Sequence, residues 1–284
     1  MAADLVSVIL RAAALVLLLQ ASGAAVFLAV FREELGPLGD SLRRRIRAVA
    51  LWAMVAIAAQ YALEAARLSG TMSGVLDPML QRMVLGSPTA AVAALRIGAL
   101  GLIIASASHA TGSRQALAAA GALVTAGSFV LVGHTTVHPA RAALAGVLVV
   151  HVSAVLFWLG ALWPLYRLSQ PETLGTLGPI VRRFSILAAW IVPFILIAGA
   201  LLAFALIGSV HALAQTYGLM ILVKLAAFAG LMVLASANKW RLGPSLARGE
   251  PWAVRPFRRS VAAEYFTIVC LLCLTAVLTT FFSP

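Results

Sequence analysis

Three of the chain's five histidines, His134, His138 and His151, fall between Gly133 and Trp163. Neutral imidazole binds Cu, Zn, Fe and Ni, so this stretch is first a candidate metal path. His134 and His138 sit where one apolar run ends. His151 lies inside the next run, ahead of Trp158-Leu159-Gly160. Imidazole in hydrocarbon is costly without a partner. If the helix enters the membrane near Ala140, a rise of 1.5 Å per residue puts His151 about 16 Å deep. The three histidines therefore suit a shallow capture point followed by a deeper station better than one flat site. The plainer readings are helix-end capping for His134 and His138, and a histidine bonded to a neighbouring backbone group or hydroxyl for His151. For His109 and His211 an ordinary role at a span end is the better reading.

Other side chains could assist. Met79 and Met83 stand one helical turn apart, with Met72 nearby. Thioether is a soft ligand that favours Cu(I), although methionine also simply fills apolar faces. Cys270 and Cys273 share a helix face at i, i+3; packing as small apolar groups explains them equally well. Trp158 follows His151 by seven residues and so lies on nearly the same face, where it shields a bound ion or packs in the core. Gly160 beside it permits a close helix approach. Lys224, Arg96 and Glu64 lie within or at the end of apolar runs, and Glu264 opens the last one. A central Lys or Arg costs about 2.5–3.5 kcal/mol to insert, so such groups pair with one another or line a polar interior. Arg11 can snorkel to the surface. There is no Walker loop, no H-E-x-x-H and no legible nucleophile–base pair, so the chain reads as a non-enzyme.

The elements that must position these groups follow from composition. Of 284 residues, 62% are apolar and only 11% are charged, against roughly 25% charged in soluble domains. A span needs about 20 mainly apolar residues. Eight such runs are present: Leu5–Phe31, Ile46–Leu68, Ala90–Ala110, Gln115–Gly133, Arg141–Arg167, Ile180–Gly208, Thr216–Trp240 and Phe257–Phe282. The expected fold is all-α, a polytopic bundle of eight transmembrane helices forming a single integral-membrane domain over residues 1–284. Gly74–Gly86 is too short to span, and its apolar residues recur at helical spacing. It is expected as a short interfacial helix between spans two and three. The first run is long enough to remain a span rather than a cleaved signal.

The net charge of +12 does not indicate nucleic acid, because the basic residues sit in short loops without interleaved exposed aromatics. They follow spans one, three, five and seven, including Arg43, Arg44, Arg45, Arg47, Arg114, Arg182, Arg183, Lys239, Arg241, Arg255, Arg258 and Arg259. The opposite side holds only Arg67, Arg82 and Arg141. The positive-inside rule then places both termini in the periplasm of a bacterial inner membrane. His134, His138, Met79, Met83 and Glu64 fall on the periplasmic side, and Glu264 near the cytoplasmic end of span eight.

Several stretches together resemble the CopD family of bacterial copper-resistance membrane proteins. They are Gly133-His134; His151 followed by Phe157-Trp158-Leu159-Gly160-Ala161-Leu162; Arg182-Arg183-Phe184-Ser185; Tyr217-Gly218 with Leu222 and Lys224; Ala237-Asn238-Lys239; and Ser260 with Glu264. The resemblance is best over residues 90 to 284, and the N-terminal third matches only as a generic helical hairpin. It implies an inner-membrane protein that passes copper, as Cu(I) or Cu(II), from periplasm toward cytoplasm. His134, His138, His151, Met79 and Met83 would be the ligands. Glu64, Lys224, Glu264 and Trp158 would shape the interior. It further implies a separate periplasmic CopC-like copper donor as partner. Related-looking membrane proteins include haem binders and assembly factors. A b-type haem protein moving electrons across the membrane, with His151 as an axial ligand, and a copper chaperone without transport are therefore the alternative readings. Oligomeric state is left open.

Overall fold

The computed structural model describes residues 2–108, 113–133, 136–207 and 216–281. Among the described residues eight helices are long and apolar enough to cross a membrane, and there is no strand. The spans lie in α1 (Ala2–Val30), α3 (Leu38–Ser69), α5 (Pro88–Ser108), α6 (Arg114–Ser128), α7 (Arg141–Leu168), α8 (Leu174–Ile207), α9 (Thr216–Ala237) and α11 (Val254–Phe281). An even number of crossings puts both described chain ends on one face, called here the terminus face. The opposite face carries the arginine-rich connections and is called the basic face.

The expected spans are all present, but several helices overrun them. The helix expected from Ile46 begins at Leu38, and the one expected from Ile180 begins at Leu174. The arginine-rich segment 43–47 is therefore helical rather than a loop. Arginine has good helix propensity, and Asp40 and Arg43 pair on the first turns. A span boundary set by hydropathy marks where the helix leaves hydrocarbon, not where it stops. Between α1 and α3, Arg32–Leu35 forms a single turn, α2.

The expected interfacial element is also helical. A 3-10 turn over Met72–Leu76 leads into α4 (Pro78–Leu85). Asp77 caps α4 by accepting from the N–H groups of Met79 at 2.8 Å and Leu80 at 3.3 Å, with Pro78 preset for the first turn. Gln81 donates to the carbonyls of Ala62 and Val75 and ties the element to α3.

The core is organised around α1, which packs against α3, α5, α6, α7 and α11. Its crossing with α7 is close. Gly23 and Gly160 meet backbone to backbone, and a Cβ on either would overlap the other helix. The close approach expected at Gly160 is thus made against Gly23. Small residues serve this purpose in membranes, where apolar attraction between helices is weak and close packing decides association. The buried hydroxyls of Ser22 and Thr125 lie 3.0 Å apart and join α1 to α6. Beyond α7 the packing loosens. Helix α9 touches mainly α11 and continues through a π-helical segment, Asn238–Leu242, into the short α10 (Gly243–Ala247), which packs against α8.

Candidate functional site

His151 projects from α7 toward α8. Its Nδ1 lies 3.1 Å from the backbone carbonyl oxygen of Ile195. A carbonyl can only accept, so Nδ1 carries the proton and Nε2 presents its lone pair. A neutral imidazole anchored this way is oriented as a metal ligand, since ligating histidines commonly donate their other N–H to a carbonyl. Gly199 provides the space: a Cβ there would stand 3.2 Å from His151 Cε1. Lys224 of α9 is near enough for its charge to act on His151, and among the described residues it has no ion-pair partner. His151 is thus bonded to a neighbouring backbone carbonyl, the plainer of its two expected roles, and Nε2 is outside that bond.

Ten residues in from the basic-face ends of their helices, Trp158 and Glu264 meet. Trp158 Nε1 donates to Glu264 Oε2 at 3.1 Å. Asn238, the first residue of the π-helical segment, donates from Nδ2 to Glu264 Oε1 at 2.5 Å. Glu264 is only 3% exposed and Trp158 6%. Each carboxylate oxygen has a neutral donor, but no described Lys, Arg or His pairs with Glu264. Arg258, on the same helix, turns instead to the Tyr166 hydroxyl at 3.2 Å. Two further oxygens in this region, Asn238 Oδ1 and Ser260 Oγ, are buried without a hydrogen-bond partner among the described residues. A buried carboxylate lacking a cation is costly. Such a group is disposed to take a cation or a proton. At 1.5 Å per residue, Val254 to Glu264 spans about 15 Å of helix.

The His151 and Trp158 positions are seven residues, about 10 Å, apart on one face of α7. The contact between Trp158 and Glu264 was not legible from either span alone. Matching their distances from the helix ends is the signal that could have suggested it.

Glu64 belongs to a different cluster. It accepts from Arg67 Nη1 at 3.1 Å and lies 3.7 Å from Arg11 Nη2. Arg11 also donates to the carbonyl of Thr279 at 2.7 Å, joining α1, α3 and α11 rather than simply reaching for the surface. Arg96 donates to Ser128 Oγ at 3.0 Å and lies over the Phe129 ring. These groups are a structural tie on the terminus-face half.

The remaining expected ligands are dispersed. His138 is half-buried, and its Nδ1 accepts from the N–H of Ala140 at 3.0 Å, just ahead of α7. Met79 and Met83 are 74% and 59% exposed on α4. His134, His109 and His211 lie outside the described residues. Cys270 and Cys273 are free thiols on the exposed surface of α11. Among the described residues no three His, Cys, Asp or Glu side chains cluster as a metal centre would require.

Two family models match the chain. The one described as copper resistance protein D-like, N-terminal domain, matches residues 1–143, and the one described as copper resistance protein D matches residues 178–278. The N-terminal third is therefore more than a generic hairpin. No curated protein and no solved structure matches.

Proposed function

From the premise that the chain belongs to the CopD family of copper-resistance membrane proteins, we propose that it passes copper through the bundle along the seam lined by α7. The terminus face is read as periplasmic, from the concentration of arginine on the other side. Copper delivered there, from a CopC-like donor, first meets His138 and His134, with the exposed Met79 and Met83 offering soft thioethers. His151 is the deep station, holding the ion through Nε2. Glu264, with Asn238 and Trp158, receives the positive charge next and passes it toward the basic, cytoplasmic face. Lys224 beside His151 limits how strongly a cation is held there.

The observation that carries this reading is the His151 ring itself. Its Nδ1 is fixed on Ile195 while Nε2 is left as a ligand, about 10 Å along the same helix face from the Trp158–Glu264 pair. One imidazole holds an ion loosely, which suits passage, since conduction needs binding weak enough to release.

The test is copper uptake into vesicles with the protein inserted in known orientation. His151→Ala should lose most uptake, and copper retained by the purified protein should fall with it. Unchanged copper content in His151→Ala removes the deep station. A Soret absorption band at one haem per chain would replace copper by haem. Uptake that is equal with and without a CopC-like donor removes the partner. A reporter fused after Pro284 that is active only in the cytoplasm reverses the orientation.

A further inference from the structure

The seam is not the only feature that calls for a ligand. On the basic face, α8 and the α9–α10 connection diverge around an open groove of about 600 Å³. One wall is a single stripe of α8, in which Arg182 is followed by Ser185, Ile186, Ala189 and Trp190. These residues recur at three- and four-residue steps and so share one helix face. The stripe begins with a guanidinium, continues with a hydroxyl and ends in apolar groups. Arg182 to Trp190 covers about 12 Å along the axis. Trp190 is 74% exposed. The opposite wall carries Lys239 and, one turn on, Gly243. Gly243 lies close to α8: a Cβ there would stand 2.9 Å from the Asn238 carbonyl oxygen, 3.5 Å from Val181 and 3.8 Å from Ser185 Oγ.

The charges in this groove have no anionic partner among the described residues, although Lys239 lies over the Trp240 ring at 5.8 Å. Arg183, the neighbour of Arg182, is paired with Glu34 at 2.6 Å. Among the described residues neither Arg182 nor Lys239 has a carboxylate partner. Two cations at the mouth and an apolar slot rising into the bilayer complement one chemistry, a phosphate monoester or diester anion joined to an acyl chain.

We propose that this groove is a binding site for an anionic phospholipid of the basic-face leaflet. Arg182 forks onto the phosphate oxygens, as guanidinium does in planar two-point contact. Lys239 adds a point charge, Ser185 meets the ester region, and one acyl chain lies against Ile186 and the Trp190 ring. Basic pockets between membrane helices on the cytoplasmic side recognise lipid headgroups by this combination of charge and depth.

Native mass spectrometry tests the site. The purified protein is re-lipidated with phosphatidylglycerol or with phosphatidylcholine of the same chains. One phosphatidylglycerol should be retained per chain, with phosphatidylcholine at least tenfold weaker. Arg182→Ala with Lys239→Ala should weaken phosphatidylglycerol about tenfold or more, and Arg182→Gln with Lys239→Gln should do the same while circular dichroism reports an unchanged fold. Arg255→Ala, an exposed cation on the same face, should leave retention unchanged. Trp190→Ala should reduce the advantage of long acyl chains over short ones. Equal retention of the two lipids overturns the proposal, as does retention unaffected in both double variants. Displacement by millimolar inorganic phosphate would make this a free-anion site. A dimer mass in place of the lipid adduct would make it a contact between copies.

Discussion

Helices α1 and α9 both cross the membrane and are about equally apolar, yet 61% of the most apolar stretch of α1 is buried and only 11% of that of α9. Apolarity does not decide which helix is central when the surrounding lipid is as apolar as leucine. What α1 has and α9 lacks is a run of small residues placed for contact. Ala21, Ser22, Gly23, Ala24 and Ala25 are all closely packed, and Gly23 touches Gly160 of α7. Gly230 of α9 has open space where a side chain would stand. The chain therefore has a tight half around α1 and a looser half of α8, α9 and α10, with α7 between them. His151 and Trp158 both face the looser half or its boundary.

The comparison breaks most visibly at the glycines. Gly160→Leu should cost about 3 kcal/mol or more, because the added atoms meet backbone that cannot give way, while Gly230→Leu should change stability by less than about 0.5 kcal/mol. Thermal unfolding in detergent measures both, and similar losses would mean the two halves are equally packed. The carboxylates should separate next. Glu64→Gln removes the partner of Arg67 and Arg11 and should cost about 2 kcal/mol, less than a fully buried pair because these side chains are part-exposed. Glu264→Gln should leave unfolding nearly unchanged, since losing a buried charge offsets a weakened hydrogen bond, and on the proposed reading should cut vesicle copper uptake severely. Equal uptake in both variants would sever Glu264 from the seam. Trp158→Phe removes one donor from Glu264 and should cost about 1 kcal/mol, with a partial loss of uptake.

The smallest effect lies where the halves are pinned together on the basic face. Burial pushes the Glu34 carboxyl up, but the Arg183 hydrogen bond and charge outweigh it and hold the group below its ordinary 4.5. A depressed carboxyl stabilises the fold fully above its ordinary value, and that contribution fades as pH falls through the lowered one. Melting temperature should therefore drop slightly more in wild type than in Arg183→Gln between pH 7 and pH 3. The difference should stay under about 1 kcal/mol for so exposed a pair.

The sequence makes the eight crossings legible because hydrocarbon thickness sets a length that composition cannot disguise. It does not make helix ends legible, since Arg43 to Arg47 and the segment before Ile180 continue as helix outside the membrane. His151 was identifiable from its depth. Its anchor, the Ile195 carbonyl, was not, because every residue carries such an acceptor and only the packing of α7 on α8 selects one. Glu264 could be singled out as a charge in an apolar run. Its contact with Trp158 depends on two helices 106 positions apart in sequence meeting at equal depth. The outward placing of Met79 and Met83 goes with the cap at Asp77 and the Gln81 bonds to α3, a matter of local backbone geometry that periodicity alone does not orient.

The meeting of Gly23 and Gly160 has a mechanical consequence. It clamps α7 to the central helix at the level of Trp158, so α7 is held on one side by backbone contact and on the other by side chains of α8. On the proposed reading, a passenger moving past His151 and Trp158 would follow a track whose backbone is anchored from behind.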